Sequence, residues 1–144
     1  MEILRTHLQQ LIYLAGLAQI ALVTGSLAIP RILNWRAELA KVQPLIKQMF
    51  WTYAGYIVVI NLCFGLLSVF ATGELSNGSK LAILVDAFIA VYWISRVLIQ
   101  FLYFDRTNFP AGIWNKIGET VLVTLFVFLS IVYSLAFYFN FHNT

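Results

Sequence analysis

The sequence predicts an all-α integral membrane protein: a four-helix transmembrane bundle with an amphipathic interfacial helix between its first and second spans. Of the 144 residues, 61% are hydrophobic and only 10% are charged, and the mean hydropathy is +0.85. A soluble domain of ordinary composition has about a quarter of its residues charged. The apolar residues are also gathered into four runs, each near the ~20 residues that a helix needs to cross the hydrocarbon core.

The four apolar runs cover residues 8–29, 49–71, 81–104 and 117–140. Backbone groups in hydrocarbon must be hydrogen-bonded within their own segment, so each run is predicted to be a helix rather than a strand. The first run is longer than the apolar core of a signal peptide and is preceded by Glu2 as well as Arg5, so we expect a helix that is retained. Together the runs predict a single transmembrane domain over residues 1–144.

Lysine and arginine are unevenly distributed between the two sides of the predicted bundle. Segments 30–48 and 105–116 lie on the same side and together carry six of them, whereas the opposite side has only Arg5 and Lys80. Cytoplasmic segments of membrane proteins are enriched in these two residues. We therefore expect a multi-pass protein with both of these segments in the cytoplasm and both termini outside it.

The segment 30–48 has the periodicity of one helix face. Its apolar residues recur at alternating intervals of three and four, at Ile32, Trp35, Leu39, Val42, Ile46 and Met49. This pattern predicts an amphipathic helix lying in the headgroup region, which Pro44 should break near Gln43. The residues expected at the membrane interface are Trp35, Arg36, Lys41 and Lys47. Two roles remain open for this helix, an anchor that links spans one and two or a docking helix for a partner protein.

Arg96 interrupts the third apolar run. It lies about 12 Å from the predicted inner end of that span at Phe104, and Asn61 and Gln19 lie about 18 and 15 Å into spans two and one. Gln100 is one turn from Arg96 on the same face. A charge at mid-bilayer costs from ~2.5 kcal/mol upward, so it should face the bundle interior and find partners. These four residues are predicted either to bind an anionic or lipid-like ligand or to fix the register of the helices.

Asp86 is a second charge within the third run. It is separated from Arg96 by about 15 Å along the helix and about 80° around it, which excludes an ion pair within the helix. Its depth matches that of Tyr13 and Tyr133, either of which is expected to be able to donate a hydrogen bond to it. Asp86 and the two tyrosines therefore form a second predicted polar site.

Several classes of function find no support in the sequence. It contains no HExxH, GxSxG or glycine-rich phosphate-binding motif. His7 and His142 lie at helix ends, whereas a haem held between helices would need histidines inside the spans. The lone Cys63 excludes a disulfide within the chain. The sequence also lacks a basic cluster with interleaved aromatic residues, the pattern that would indicate binding of nucleic acid. We expect no cofactor, no metal site and no nucleic-acid partner, and a non-enzymatic role rather than an enzymatic one.

The spacing of Arg96 and Tyr103 resembles the Arg…Tyr spacing near the end of the third helix in the MAPEG family. That family consists of trimeric four-helix membrane proteins of eicosanoid and glutathione metabolism, with both termini on the lumenal side. The resemblance covers a small part of the chain. The stretch "RILNWRAELAKVQPLIKQ" stands where the family has an Arg/Asn/Glu-rich motif, and Ile99 stands where a His or Tyr is expected. The chain is not assigned to the family, and a MAPEG-like enzyme is the third alternative.

Two other functional classes are favoured over a MAPEG-like enzyme. The first is a small non-enzymatic membrane protein, an accessory subunit or a homo-oligomer, whose polar cluster serves assembly or binds a lipid-like or anionic ligand. The second is an oligomeric channel or transporter with Arg96 and Asp86 on its pathway. The absence of an internal repeat between the two halves favours the first class. The expected partners are the lipid bilayer and either further copies of the chain or a larger membrane complex.

Overall fold

The computed structural model describes residues 2–103 and 112–142, and these two stretches are helical throughout, apart from short turns. The helices are α1 (Glu2–Ser26), α2 (Ile29–Ile32), α3 (Trp35–Leu39), α4 (Pro44–Phe70), α5 (Lys80–Leu102) and α6 (Ile113–His142), and a single 3-10 turn, Glu74–Ser76, lies between α4 and α5. No strand occurs in the described part of the chain. The all-α prediction is confirmed for it, while most of the predicted segment 105–116 lies outside the described residues.

Four helical stretches are long and apolar enough to cross a membrane, namely α1 continued through α2, and α4, α5 and α6. Each corresponds to one predicted apolar run, which fits the prediction of a multi-pass membrane protein. The helices extend beyond most of the predicted boundaries; α4, for example, begins at Pro44 rather than at residue 49. Hydropathy marks the residues that match the hydrocarbon core, whereas a helix continues through flanking polar residues until a cap or a proline ends it.

The long helices pack in the order α4, α1, α6, α5, with α1 against both α4 and α6 and with α5 against α6. Successive long helices run in opposite directions. One end of the bundle, here called the terminal end, carries the start of α1, the end of α6 and the turn 71–79. The other end, the linker end, carries residues 27–43, the end of α5 at Leu102 and the start of α6 at Ile113. α4 and α5 meet through side chains, since the Phe64 ring lies edge-on to that of Tyr92 at 5.3 Å between centroids.

Two glycines allow α1 and α4 to approach closely. A Cβ on Gly16 would lie 2.8 Å from both the carbonyl oxygen of Gly65 and the Cγ2 of Val69, and a Cβ on Gly65 would lie 3.0 Å from the side chain of Ile20. Small residues of this kind let helix backbones pack in an apolar environment, where burial of apolar surface contributes little. Gly25, by contrast, has no atom within 4 Å of such a Cβ.

The core is concentrated toward the terminal end. The buried residues of α4 are Phe64, Gly65 and Ser68, all in its last third. Residues 44–63 of α4, 94–102 of α5 and 113–125 of α6 include no buried residue. The helices are therefore tightly packed near the turn 71–79 and more open near the linker end.

The segment predicted as one amphipathic helix is divided into two short helices, α2 and α3. Asn34 adopts a left-handed conformation (φ 55°, ψ 48°) between them, and Pro44 starts α4 rather than interrupting a helix. A left-handed residue ends the regular turn of an α-helix, and Asn tolerates this conformation better than most residues. The apolar periodicity of residues 32–49 is thus distributed over α2, α3 and the start of α4.

Candidate functional site

A chain of hydrogen bonds crosses the centre of the bundle and uses one side chain from each long helix. The indole Nε1 of Trp93 (α5) donates to Gln19 Oε1 (α1) at 3.1 Å, and Gln19 Nε2 donates to the Tyr133 hydroxyl (α6) at 2.6 Å. The Tyr133 and Ser68 (α4) hydroxyls share a further hydrogen bond. All four residues are buried. This central network connects the four helices at one level.

The central network satisfies its own members. Gln19 uses its carbonyl oxygen for Trp93 and its amide for Tyr133, with a second contact from the amide to the Ala15 carbonyl at 3.3 Å. Buried polar groups cost free energy unless they are hydrogen-bonded, and a fully paired set specifies one helix register. The geometry is therefore that of a structural connection, in which both N–H groups of the Gln19 amide donate to groups inside the bundle.

A second polar layer lies nearer the terminal end, around Asn140. Asn140 Nδ2 donates to Asp86 Oδ2 and to the Leu75 carbonyl, both at 2.6 Å, and Asn140 Oδ1 accepts from the Gly78 N–H at 3.0 Å. One amide of α6 thus joins α5 to the turn 71–79. Asp86 is fully buried, and its Oδ1 has no hydrogen bond in the described part of the chain.

The predicted second site of Asp86, Tyr13 and Tyr133 is not assembled as expected. The Tyr13 side chain is 45% exposed on the surface of α1, and Tyr133 uses its hydroxyl for Gln19 and Ser68. The partner of Asp86 is Asn140. Tyr133 lies at the level of the central network, whereas Asp86 lies in the second layer, about two turns nearer the terminal end. Depth counted from the predicted ends of the spans determined neither this level nor the direction in which each side chain points.

Arg96 lies at the edge of the packed core, toward the linker end, and is half-buried. Its guanidinium carbon is 5.3 Å from the centroid of the Phe126 ring, and this ring stacks on Trp93 at 5.4 Å between centroids. Cation–π contacts of this kind are favourable but weaker than an ion pair with a desolvated carboxylate. Within residues 2–103 and 112–142, Arg96 has neither an ion pair nor a hydrogen bond from its side chain.

The four residues of the predicted Arg96 cluster are divided among different contacts. Asn61 Oδ1 accepts a hydrogen bond from the Tyr92 hydroxyl at 2.6 Å, which joins α4 to α5, and Gln19 belongs to the central network. Gln100 is half-buried on the same helix as Arg96. No hydrogen bond joins any two of these four described residues. Arg96 and Gln100 thus lie in the loosely packed half of the bundle toward the linker end, here called the open side, where α5 has no buried residue.

Three residues of the two polar layers were missed from the sequence: Trp93, Ser68 and Asn140. The indole N–H of Trp93 was the usable signal, since a tryptophan inside an apolar helix still needs an acceptor. Ser68 gave no such signal, because a serine inside an apolar helix can bond to a carbonyl of its own helix. Asn140 stands at the end of its apolar run, where a polar residue is ordinarily solvated.

The predicted interface residues occupy the linker end. The Trp35 ring lies edge-on to those of Phe50 and Trp51, with centroid distances of 4.8 and 5.6 Å, and so holds α3 against α4. The Lys41 ammonium is 3.3 Å from Glu38, with side chains 70% and 63% exposed. The two remaining predicted interface residues are Arg36, which is exposed, and Lys47, which is half-buried.

Within the described ranges, no group of three or more His, Cys, Asp or Glu residues is placed to hold a metal ion. His7 bonds to the Ile3 carbonyl through Nδ1 at 2.8 Å, while the His142 ring lies 4.3 Å from that of Tyr138. Cys63 is a free, exposed thiol on α4.

No family model, curated protein or solved structure matches this chain. The MAPEG resemblance therefore stays a prediction that rests on the spacing of Arg96 and Tyr103. Tyr103 is an exposed residue that caps the end of α5. The function must be inferred from the geometry of the polar layers and of Arg96.

Proposed function

We propose that this chain is a small polytopic membrane protein without enzymatic activity that works as an accessory subunit or a homo-oligomer. Its central network holds the four spans together, and the surface around Arg96 forms a contact with a group outside the protomer. This group belongs either to a second subunit or to an anionic, lipid-like ligand held between subunits. The lipid bilayer is the environment in which this assembly takes place.

The charge of Arg96, which has no ion pair within residues 2–103 and 112–142, is the observation that carries the proposal. In a bilayer, an arginine within a span costs ~2.5 kcal/mol or more unless it is partnered. The stacking of its guanidinium on Phe126 offsets ~0.5–2 kcal/mol, and no ion pair within the described residues contributes the rest. An anionic or hydrogen-bonding group from outside the protomer would offset the remaining free-energy cost of placing Arg96 in the bilayer.

The central network supports the structural part of the proposal. Because Gln19 of α1 fixes Trp93 and Trp93 of α5 stacks on Phe126, the ring beneath Arg96 is held in place by α5 and, through it, by α1. The guanidinium is thereby presented from a rigid support on the open side of the bundle. A positioned, half-exposed charge of this kind suits recognition of a partner more than packing within one subunit.

The proposal includes the sidedness of the protein and the role of its interfacial segment. Segments 30–48 and 105–116 face the cytoplasm, and both termini lie outside it, in keeping with the lysine and arginine counts. α2 and α3 lie at the membrane surface and anchor the first and second spans. The exposed basic side chains there and the aromatic contacts of Trp35 support this arrangement.

A channel or transporter with Arg96 and Asp86 on its pathway is the second candidate. The observation in its favour is the buried Oδ1 of Asp86, which accepts no hydrogen bond from the described residues, since ionisable groups inside spans often mark ion or proton pathways. Against it, Ile89 and Trp93 lie between the two charges on α5 and are buried. A route within one subunit would require both side chains to move, so the pathway would have to run between subunits.

Native mass spectrometry of the protein released from lipid nanodiscs tests the first proposal, because it reports both copy number and bound lipids. Arg96→Met is compared with Leu98→Met, which changes an exposed residue of the same helix without removing a charge. We expect Arg96→Met to reduce the oligomer or the bound anionic amphiphile while the unfolding temperature stays similar, and Leu98→Met to change neither.

Wild-type protein that is monomeric and carries no anionic molecule would contradict the proposal. Equal losses in the two variants would also contradict it, because the effect would then not depend on the charge. For the second candidate, the protein is reconstituted into liposomes and ion flux is measured. Flux above that of empty vesicles that is abolished by Asp86→Asn would favour the channel or transporter instead.

A further inference from the structure

The linker end of the protein carries a cationic groove of about 510 Å³. It lies between the two short helices and the first turns of α4. Its lining residues are Pro30, Arg31, Asn34, Arg36, Lys47 and Trp51. Three of the six are basic and none is acidic. This groove, here called the basic groove, is separate from Arg96 and from both polar layers.

The fold of residues 29–39 brings the two arginines of the basic groove together. Arg31 belongs to α2 and Arg36 to α3, and the left-handed residue Asn34 separates the two helices. One continuous helix would place residues five positions apart about 140° apart around its axis. The break at Asn34 therefore allows both guanidinium groups to line one groove.

The wall formed by α4 is fixed by aromatic packing. Trp35 lies edge-on to Phe50 and to Trp51, which are themselves 6.5 Å apart between centroids. These contacts hold α3 beside α4 and set the position of Lys47, one turn before Trp51. The basic groove is thus a supported feature of the fold rather than a set of side chains on a free loop.

The charges of the basic groove are not neutralised within the described part of the chain. Arg31, Arg36 and Lys47 form no ion pair there. The nearby carboxylate, Glu38, pairs with Lys41 on the exposed side of α3. Three cations around one groove repel one another, and an anion placed between them would convert that repulsion into attraction.

We propose that the basic groove binds a phosphate group, borne by an anionic phospholipid or by a soluble phosphate compound. Arginine presents a planar fork of donors that matches phosphate oxygens, and lysine adds a point charge. Trp51 supplies an amphipathic ring of the kind enriched at the headgroup level. Because Lys47 and Trp51 lie in the first turns of an apolar, span-length helix, the groove opens where lipid headgroups would lie.

The test is a binding titration of the purified, delipidated full chain in a neutral detergent. The probes are phosphatidylglycerol in mixed micelles, phosphatidylcholine as the zwitterionic control, and inorganic phosphate. The variants Arg31→Gln, Arg36→Gln and Lys47→Gln each remove one charge from the groove. Lys41→Gln is the matched control, since it removes the same charge from the same segment but does not line the groove.

We expect each groove variant to weaken phosphatidylglycerol binding about fivefold, which corresponds to the ~1 kcal/mol that one basic residue contributes near an anionic lipid. Lys41→Gln should weaken it less than twofold, because the Lys41 ammonium does not line the groove and cannot contact a phosphate bound there. Arg36→Lys keeps the charge but loses the planar fork of donors, so its affinity should lie between that of the wild type and that of Arg36→Gln. Unfolding temperatures in phosphatidylcholine should be unchanged, since the substituted side chains are exposed or half-buried.

The pattern across the probes identifies the source of the phosphate. Binding of phosphatidylglycerol but not of inorganic phosphate, with the expected variant pattern, assigns a lipid headgroup. Binding of inorganic phosphate with the same variant pattern assigns a soluble phosphate compound. Equal losses in the groove variants and in Lys41→Gln would overturn the proposal in favour of diffuse surface attraction. Binding of neither anion above the phosphatidylcholine level would overturn it altogether.

Discussion

The substitution Tyr133→Phe removes one oxygen atom from the centre of the bundle and leaves the ring in place. That oxygen is hydrogen-bonded to Gln19 at 2.6 Å and to Ser68, so the change breaks one contact between α1 and α6 and one between α4 and α6. Gln19 Nε2 keeps the Ala15 carbonyl, and the Ser68 hydroxyl is free to turn to a carbonyl of its own helix. Neither partner is therefore left without an acceptor.

The magnitude follows from the number of hydrogen bonds that are lost. Hydrogen bonds between membrane helices contribute ~0.6 kcal/mol on average and up to ~1.7 kcal/mol. Two such bonds predict that the free energy of unfolding falls by about 1–3 kcal/mol. Unfolding in mixed micelles with increasing dodecyl sulfate, followed by circular dichroism, measures this change. Tyr138→Phe is the matched control, because it makes the same substitution on the same helix at a side chain that is 63% exposed.

A double-mutant cycle with Ser68→Ala isolates the bond between the two hydroxyls. We expect a coupling free energy of about 0.6–1.7 kcal/mol between Tyr133→Phe and Ser68→Ala. If Tyr133→Phe changes stability no more than Tyr138→Phe does, or if the coupling is zero, the central network does not stabilise the bundle. The structural role assigned to Gln19 would then have to be abandoned.

Two further substitutions test other contacts. Gly16→Ala should destabilise the protein by about 1–3 kcal/mol, because its Cβ would meet the Gly65 carbonyl at 2.8 Å; Gly25→Ala, which meets nothing within 4 Å, should be neutral or slightly stabilising in the same unfolding assay. Asn140→Leu should speed hydrogen–deuterium exchange in the turn 71–79, because it removes the hydrogen bond from the Gly78 N–H to Asn140 Oδ1; unchanged exchange would show that other contacts hold the turn.

The fold class and the long helices could be predicted from the sequence because both depend on quantities that are local in the chain. The length and hydropathy of an apolar run determine whether a helix can cross hydrocarbon. The division between α2 and α3 was harder to predict. Asn34 was read as part of a periodic apolar segment, although its tolerance of left-handed backbone was the physical reason for the break.

The contacts of the polar residues depend on which helices are neighbours, and this is not a local quantity. Rise per residue assigned Gln19, Asn61 and Arg96 to similar depths, but depth does not determine the rotation of each helix or the packing order α4, α1, α6, α5. That order brings Gln19 to Tyr133 and Trp93, and leaves Arg96 on the open side. The hydrogen bond between Asp86 and Asn140 likewise depends on the packing of α5 on α6, which depth alone does not determine.

The central network also has a consequence for the biosynthesis of the protein. Gln19 is made early, yet its partners Trp93 and Tyr133 follow it by 74 and 114 residues. On the proposed membrane topology, a nascent chain in which only α1 and α4 have been inserted would expose this amide to lipid, with the Ala15 carbonyl as its contact on the same helix. Truncated chains that end before α6 lack Tyr133 and would therefore present the Gln19 amide to the lipid. Such an exposed polar group would distinguish an incomplete chain from the finished protein.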